Sequence, residues 1–169
     1  GHNIVALKEE QVARLRLDKM GFIFQTFNLL SNFTAYENVE APMVLAGKLR
    51  RKERKQRTAL LLEQVGLADR MDHYPSELSG GQQQRVAIAR ALANDPPIII
   101  GDEMTGDLDS ETGFEVMRLI RQLNQEQGKT VIFVTHDPRM AEFADRTINL
   151  LDGVIASEVI NGGKGHPAT

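Results

Sequence analysis

Four short runs along the chain are close to continuously apolar: residues 19–24 (KMGFIF), 97–101 (PIIIG), 130–135 (TVIFVT) and 146–151 (RTINLL). Runs of this length, rich in β-branched and aromatic residues, predict strands buried on both faces. Between them apolar positions recur at helical spacing. Val116, Leu119, Ile120 and Leu123 form one stripe of a helix predicted over residues 108–127 and stopped by Gly128. Thr34 with Glu37, and Ser79 with Gln82, have the spacing of a capping box, and Asp137 stands as an N-cap before Pro138. Strands alternating with helices imply an α/β fold with a parallel sheet and right-handed crossovers.

Residues 34–90 break that alternation. They are helical in pattern almost throughout and predict a helical subdomain inserted into an α/β core of residues 1–33 and 91–160. The last nine residues, 161–169 (NGGKGHPAT), predict a flexible tail. Composition adds little beyond a soluble globular domain, with 41% apolar and 25% charged residues. No apolar run approaches the ~18 residues of a membrane-spanning helix. No cysteine is present, which excludes disulfides and thiolate metal sites. A net charge of −3 gives no reason to expect nucleic acid as a partner. The run KLRRKERKQR (residues 48–57) reads first as a solvated helix face and second as a docking surface.

The candidate chemistry is concentrated in two motifs. In LSGGQQQR (residues 78–85), Ser79 can cap a helix whose first turn holds Gly80, Gly81 and Gln82. Glycines there let an anion approach free backbone N–H groups, and the helix dipole favours negative charge. In IIIGDEMTGDLDS (residues 98–110) a strand ends in Asp102 and Glu103, at the sheet edge where α/β proteins bind ligands. Asp102 suits Mg²⁺ held through water, and Glu103 suits polarisation of an attacking water. Gln25 follows the first strand and His136 the third, so three parallel strands each present a polar group at one edge.

Taken together, LSGGQQQR followed by VAIARAL, the Asp102-Glu103 strand end, Gln25 and His136 resemble the ATP-binding domain of ABC transporters over nearly the whole chain. Residues 25–47 (QTFNLLSNFTAYENVEAPMVLAG) look most like the lipoprotein-release and macrolide-export type. The resemblance implies a P-loop NTPase-like fold, ATP and Mg²⁺ as cofactors, and an ATPase coupled to transport. It implies that Glu103 and His136 are catalytic. Gln25, Ser79, Gly80, Gly81, Gln82, Asp102, Asp109 and His136 would contact nucleotide, and Gln25 and Asp102 would face the Mg²⁺. The expected partners are a second ATPase subunit, docked head to tail, and a membrane-spanning subunit met around residues 25–44. The expected location is cytoplasmic, at the inner face of the membrane through that subunit. Met104 stands where the family usually has proline, and Gly101 and Asp107 also depart from its pattern.

The family's phosphate-binding GxxxxGK[ST] is not found in these residues. Gly128-Lys129-Thr130 has Leu123 where the first glycine belongs, and Gly163-Lys164-Gly165 lacks the spacing. The chain is therefore expected to be truncated at its N-terminus and nearly inactive alone. The alternative is a non-catalytic module that completes a site only opposite an intact partner. In the family the P-loop strand separates the strand ending near His136 from residues 146–151. Without it, residues 146–151 would move across to pair with residues 130–135, or a second chain would supply the strand, the favoured outcome.

Overall fold

The computed structural model describes residues 6–161. Contacts divide the chain into two units, one ending at Val134 and the other beginning at Thr135.

The first unit opens with α1 (Glu9–Lys19) and passes directly into β1 (Met20–Phe24). Three helices follow: α2 (Ala35–Ala46), α3 (Arg51–Gln64) and α4 (Gly80–Leu92). Then come β2 (Ile98–Asp102), α5 (Ser110–Gln127) and β3 (Thr130–Val134). The strands form a parallel sheet in the order β1-β2-β3, aligned so that Phe24, Asp102 and Val134 stand at one level. All three predicted strands of this unit are present, and between β1 and β2 the chain contains no strand.

The core lies where α4 meets β1 and the helices of the insertion. Ile23, Val39, Met43, Leu62, Val86, Ile88, Leu92 and Ile99 are all buried there. The seam is tight: a Cβ at Gly21 would collide with the Ala91 carbonyl of α4. Glycine at this point lets helix and strand approach backbone to backbone. The loop entering α2 is shaped by buried Asn38, whose side chain bonds Leu30 N–H and the Leu30, Phe33 and Thr34 carbonyls. Both predicted capping boxes form, Thr34 with Glu37 on α2 and Ser79 with Gln82 on α4. Gly128, in the left-handed region at φ 62°, ends α5 as predicted.

The apolar pattern does not predict α1. It buries no residue and is held by polar ties: Arg14 to the Ala46 carbonyl at 3.0 Å, and Lys48 to Asp18 at 2.8 Å. The basic run 48–57 also does more than face solvent. Arg57 donates to the Leu92 and Ala93 carbonyls at the end of α4, and Arg54 pairs with Glu40 at 3.0 Å.

The second unit holds α6 (Pro138–Ala141), capped by Asp137, and a two-stranded antiparallel sheet of β4 (Arg146–Leu151) and β5 (Val154–Ile160). Of the two arrangements expected for residues 146–151, the less favoured one, transfer onto β3, does not occur. They pair with β5 across Asp152-Gly153, both left-handed at φ 50° and 78°, while β3 pairs with β2 alone. A two-residue turn with positive φ at both positions matches the right-handed twist of the strands it joins, so the local hairpin forms. Asn161, expected to open the tail, is bonded to the Asp145 and Ala144 carbonyls and the Thr147 hydroxyl. The rest of the predicted tail, residues 162–169, lies outside the described residues.

At the opposite end of the sheet from Asp102, buried Lys129 donates to Asp95 at 2.6 Å and to the Pro96 carbonyl at 3.0 Å. The Lys129 ammonium is the main reason that the Asp95 carboxyl lies below its usual range. A depressed carboxylate contributes stability that is complete above its unfolded value of about 3.9 and is lost as pH falls through the lower folded value. Asp95→Asn is therefore expected to lower the urea midpoint at neutral pH. The gap to the parent should narrow as pH falls below about 4, which denaturation curves across that range would check.

Candidate functional site

The carboxyl edge of the three-stranded sheet gathers the candidate groups of the first unit. Because Phe24 and Asp102 are register partners, Gln25 and Asp102-Glu103 leave the sheet side by side. Asp102 is exposed and Glu103 half-buried. Glu103 adopts φ 47°, a left-handed conformation that costs a non-glycine residue about 1 kcal/mol or more. Its N–H donates to the Val134 carbonyl at 3.1 Å, and its carbonyl accepts from Gly106 N–H at 2.9 Å. The backbone around this carboxylate is thus fixed from both sides.

The loop after β2 folds onto the loop after β1. The Gln25 amide donates to Asp107 at 2.7 Å, and a Cβ on Gly106 would lie 3.0 Å from the Gln25 amide. Phe27 and Asn28 are also left-handed, at φ 57° and 49°, and the Arg90 guanidinium of α4 donates to both of their carbonyls. Burial makes Arg90 easier to deprotonate than an exposed arginine.

The start of α4 adjoins both loops. Ser79 accepts from Gln82 N–H, and Gln82 Oε1 accepts from Ser79 N–H at 2.9 Å. The glycines have a packing role that their sequence context did not disclose. A Cβ on Gly80 would touch Leu108 at 3.4 Å and the Phe27 ring at 3.6 Å, and one on Gly81 would collide with the Thr112 methyl. Asp109 caps α5, accepting from Thr112 N–H at 3.0 Å and from the Thr112 hydroxyl at 2.6 Å. Those bonds, the hydroxyl's foremost, hold its carboxyl below the usual range. His136 belongs to the second unit, two residues beyond the end of β3, next to Asp137. There Asp137 accepts from Arg139 N–H at 2.9 Å and pairs with its guanidinium at 2.7 Å.

Two residues of this edge carried no sequence signal. Gln84 lies within LSGGQQQR and Arg90 in the helical run after it, and the sequence assigns neither a role. Buried Gln84 donates to the Phe24 and Met104 carbonyls.

Residues 2–106 match the protein family described as ABC transporter. The chain belongs to the ABC transporter family. It is 50% identical over 155 residues to an ABC transporter ATP-binding protein of Methanocaldococcus jannaschii, covering 90% of this chain and 66% of that protein. It is 52% identical over 155 residues to the macrolide export ATP-binding/permease protein of Escherichia coli K12, covering 92% of this chain but 24% of that one. This ABC chain thus spans two thirds or less of those relatives. Among solved structures it resembles a dimeric ATP-binding cassette in a post-hydrolysis state, bound to ADP and Pi. The TM-score is 0.82 and the identity 47%, over 94% of this chain and 69% of that one. The ABC ATPase fold expected from the sequence is therefore present.

The departures at positions 101 and 104 are one feature. Met104 is buried, and its side chain fills the space over Gly101, where an added Cβ would lie 2.7 Å from Met104 Cγ and closer still to its sulfur. Gly101→Ala is expected to destabilise this ABC chain by roughly 1–3 kcal/mol through overpacking. Combined with Met104→Ala it should cost less than the sum of the two single changes, because each relieves the other. Urea unfolding of the four chains measures that coupling; strict additivity would refute it.

Proposed function

We propose that this chain is the ATP-binding part of an ABC transporter, working opposite a second ATPase subunit and through a membrane-spanning one. The observation that carries the reading is the convergence of Gln25, Asp102 and Glu103 at one sheet edge, with the Ser79–Gly81 end of α4 beside their loops. In this reading Ser79, Gly80, Gly81 and Gln82 meet the γ-phosphate of nucleotide held by the opposing subunit, docked head to tail. The Gly80 and Gly81 N–H groups at the helix start suit that anion, while those of Ser79 and Gln82 are engaged in the capping box. Glu103 orients and polarises the attacking water, its placement fixed by the left-handed backbone. His136 contacts the γ-phosphate, and Asp109 lines the subunit junction while capping α5.

Mg²⁺ fits this edge as an ion held by few protein groups. Asp102 offers an exposed carboxylate and Gln25 a carboxamide oxygen, since its nitrogen is engaged by Asp107. Among the described residues no three His, Cys, Asp or Glu converge, which suits an ion that takes most of its oxygens from phosphate and water. When bound, Mg²⁺ supplies neutralising charge for phosphate oxygens.

The transported class is drawn from relatives named for macrolide export, and residues 25–44 are the assigned contact with the membrane subunit. A location at the inner membrane face follows from that contact.

The phosphate-cradling GxxxxGK[ST] is not contained in the 169 residues, so this chain alone is expected to release phosphate from ATP no faster than its Glu103→Gln variant. A chimera supplied with the part of the Methanocaldococcus relative that this chain does not span is expected to hydrolyse ATP. Its Glu103→Gln form should lose hydrolysis yet run as a dimer with Mg-ATP on a sizing column. A chimera that binds no nucleotide, or whose hydrolysis survives Glu103→Gln, would overturn the reading.

A further inference from the structure

α4 touches the nucleotide-facing edge at three places, and only the first, its glycine-bearing start, belongs to the roles given above. Further along, Gln84 is fully buried between the two loops and donates through Nε2 to the Phe24 carbonyl at 3.3 Å and to the Met104 carbonyl. Those carbonyls belong to the residue just before Gln25 and the residue just after Glu103. Near the far end, Arg90 donates to the carbonyls of Phe27, at 2.8 Å, and Asn28. Both accept while their residues hold left-handed backbones, a conformation that phenylalanine in particular does not adopt unaided.

Among the described residues Gln84 Oε1 is buried with no hydrogen-bond partner. A side chain kept only to fill this space would not carry a buried amide, since an unsatisfied buried polar group works against folding. A methionine of similar shape would fill the same space without that cost.

We propose that Gln84 and Arg90 are positioning residues. From a single helix they pin the loops that carry Gln25 and Glu103, so the separation of those two groups is set by α4 itself. This rests on the site assignment above only for the roles of Gln25 and Glu103. The pinning concerns backbone carbonyls and needs no nucleotide. Because the start of α4 is the segment assigned to face the second subunit's nucleotide, a displacement there reaches both loops through one rigid element.

Amide hydrogen exchange on the full chain without nucleotide tests this separately from the ATPase reading. The reporters are the N–H groups of Phe27, Gly106 and Leu108, whose hydrogen bonds lie inside the two loops. Gln84→Met is expected to speed their exchange about tenfold, the equivalent of one lost hydrogen bond. The amides of Val86–Ala89 should stay unchanged, and the urea midpoint should fall by no more than the loss of that one bond allows. Arg90→Met should loosen Phe27 in the same selective way. Arg90→Lys, which keeps a donor, should restore part of that protection. Loop exchange equal to the parent in both Met variants would overturn the proposal, as would faster exchange spread evenly over α4 and the sheet.

Discussion

The close approach of α4 to β1 at Gly21 is the constraint on which the first unit depends. With no Cβ at that position, the strand comes up against the Ala91 carbonyl near the end of α4, and the helix lies along β1 so that Gln84 reaches the Phe24 carbonyl and Gly80 the loops at the carboxyl edge. That placement buries Val86, Ile88 and Leu92 against β1 and the inserted helices. It also sets Gln84 and Arg90 beside the loops that leave β1 and β2. Apolar contact and polar pinning thus come from one helix docked at one distance. A side chain at Gly21 would disturb the core and the functional edge together.

Residues in the motifs carry structural duties as well as the assigned ones. Asp109 is a helix cap, Gln82 closes a capping box, and Gly81 makes room for the Thr112 methyl. Glu103 holds a left-handed backbone by exchanging main-chain bonds with Val134 and Gly106. In such a site an effect of substitution on activity cannot be read without a parallel measurement of folding.

The strands and major helices were legible because their signals are local. β2 is an unbroken Ile98–Ile100 run, and α5 shows a clear apolar stripe ended by Gly128. The capping boxes at Thr34 and Ser79 needed only a four-residue window. α1 escaped because it has no buried face for periodicity to report; charge pairs and side-chain-to-carbonyl bonds hold it. β5 escaped despite a usable signal, Asp152-Gly153 between two apolar runs, the mark of a hairpin turn. At the site, Gln25, Asp102 and Glu103 could be placed from the strand ends. Gln84 and Arg90 could not, because their partners are carbonyls 20 to 63 positions away and carbonyls have no letter in a sequence.

The basic stretch ending in Arg57 shows how unevenly a charge run can be constrained. Arg57 closes the last carbonyls of α4 with a planar fork, a job that a lysine's single ammonium does poorly. Arg54 likewise spans Glu40 and the Leu49 carbonyl. Lys52 and Lys55 are exposed and, among the described residues, make no such fixed bonds. In a saturation library across this stretch, cations would interchange freely at those two positions, while arginine would persist at 54 and 57. The run would drift in sequence yet keep its two anchors, and its net charge would reveal neither.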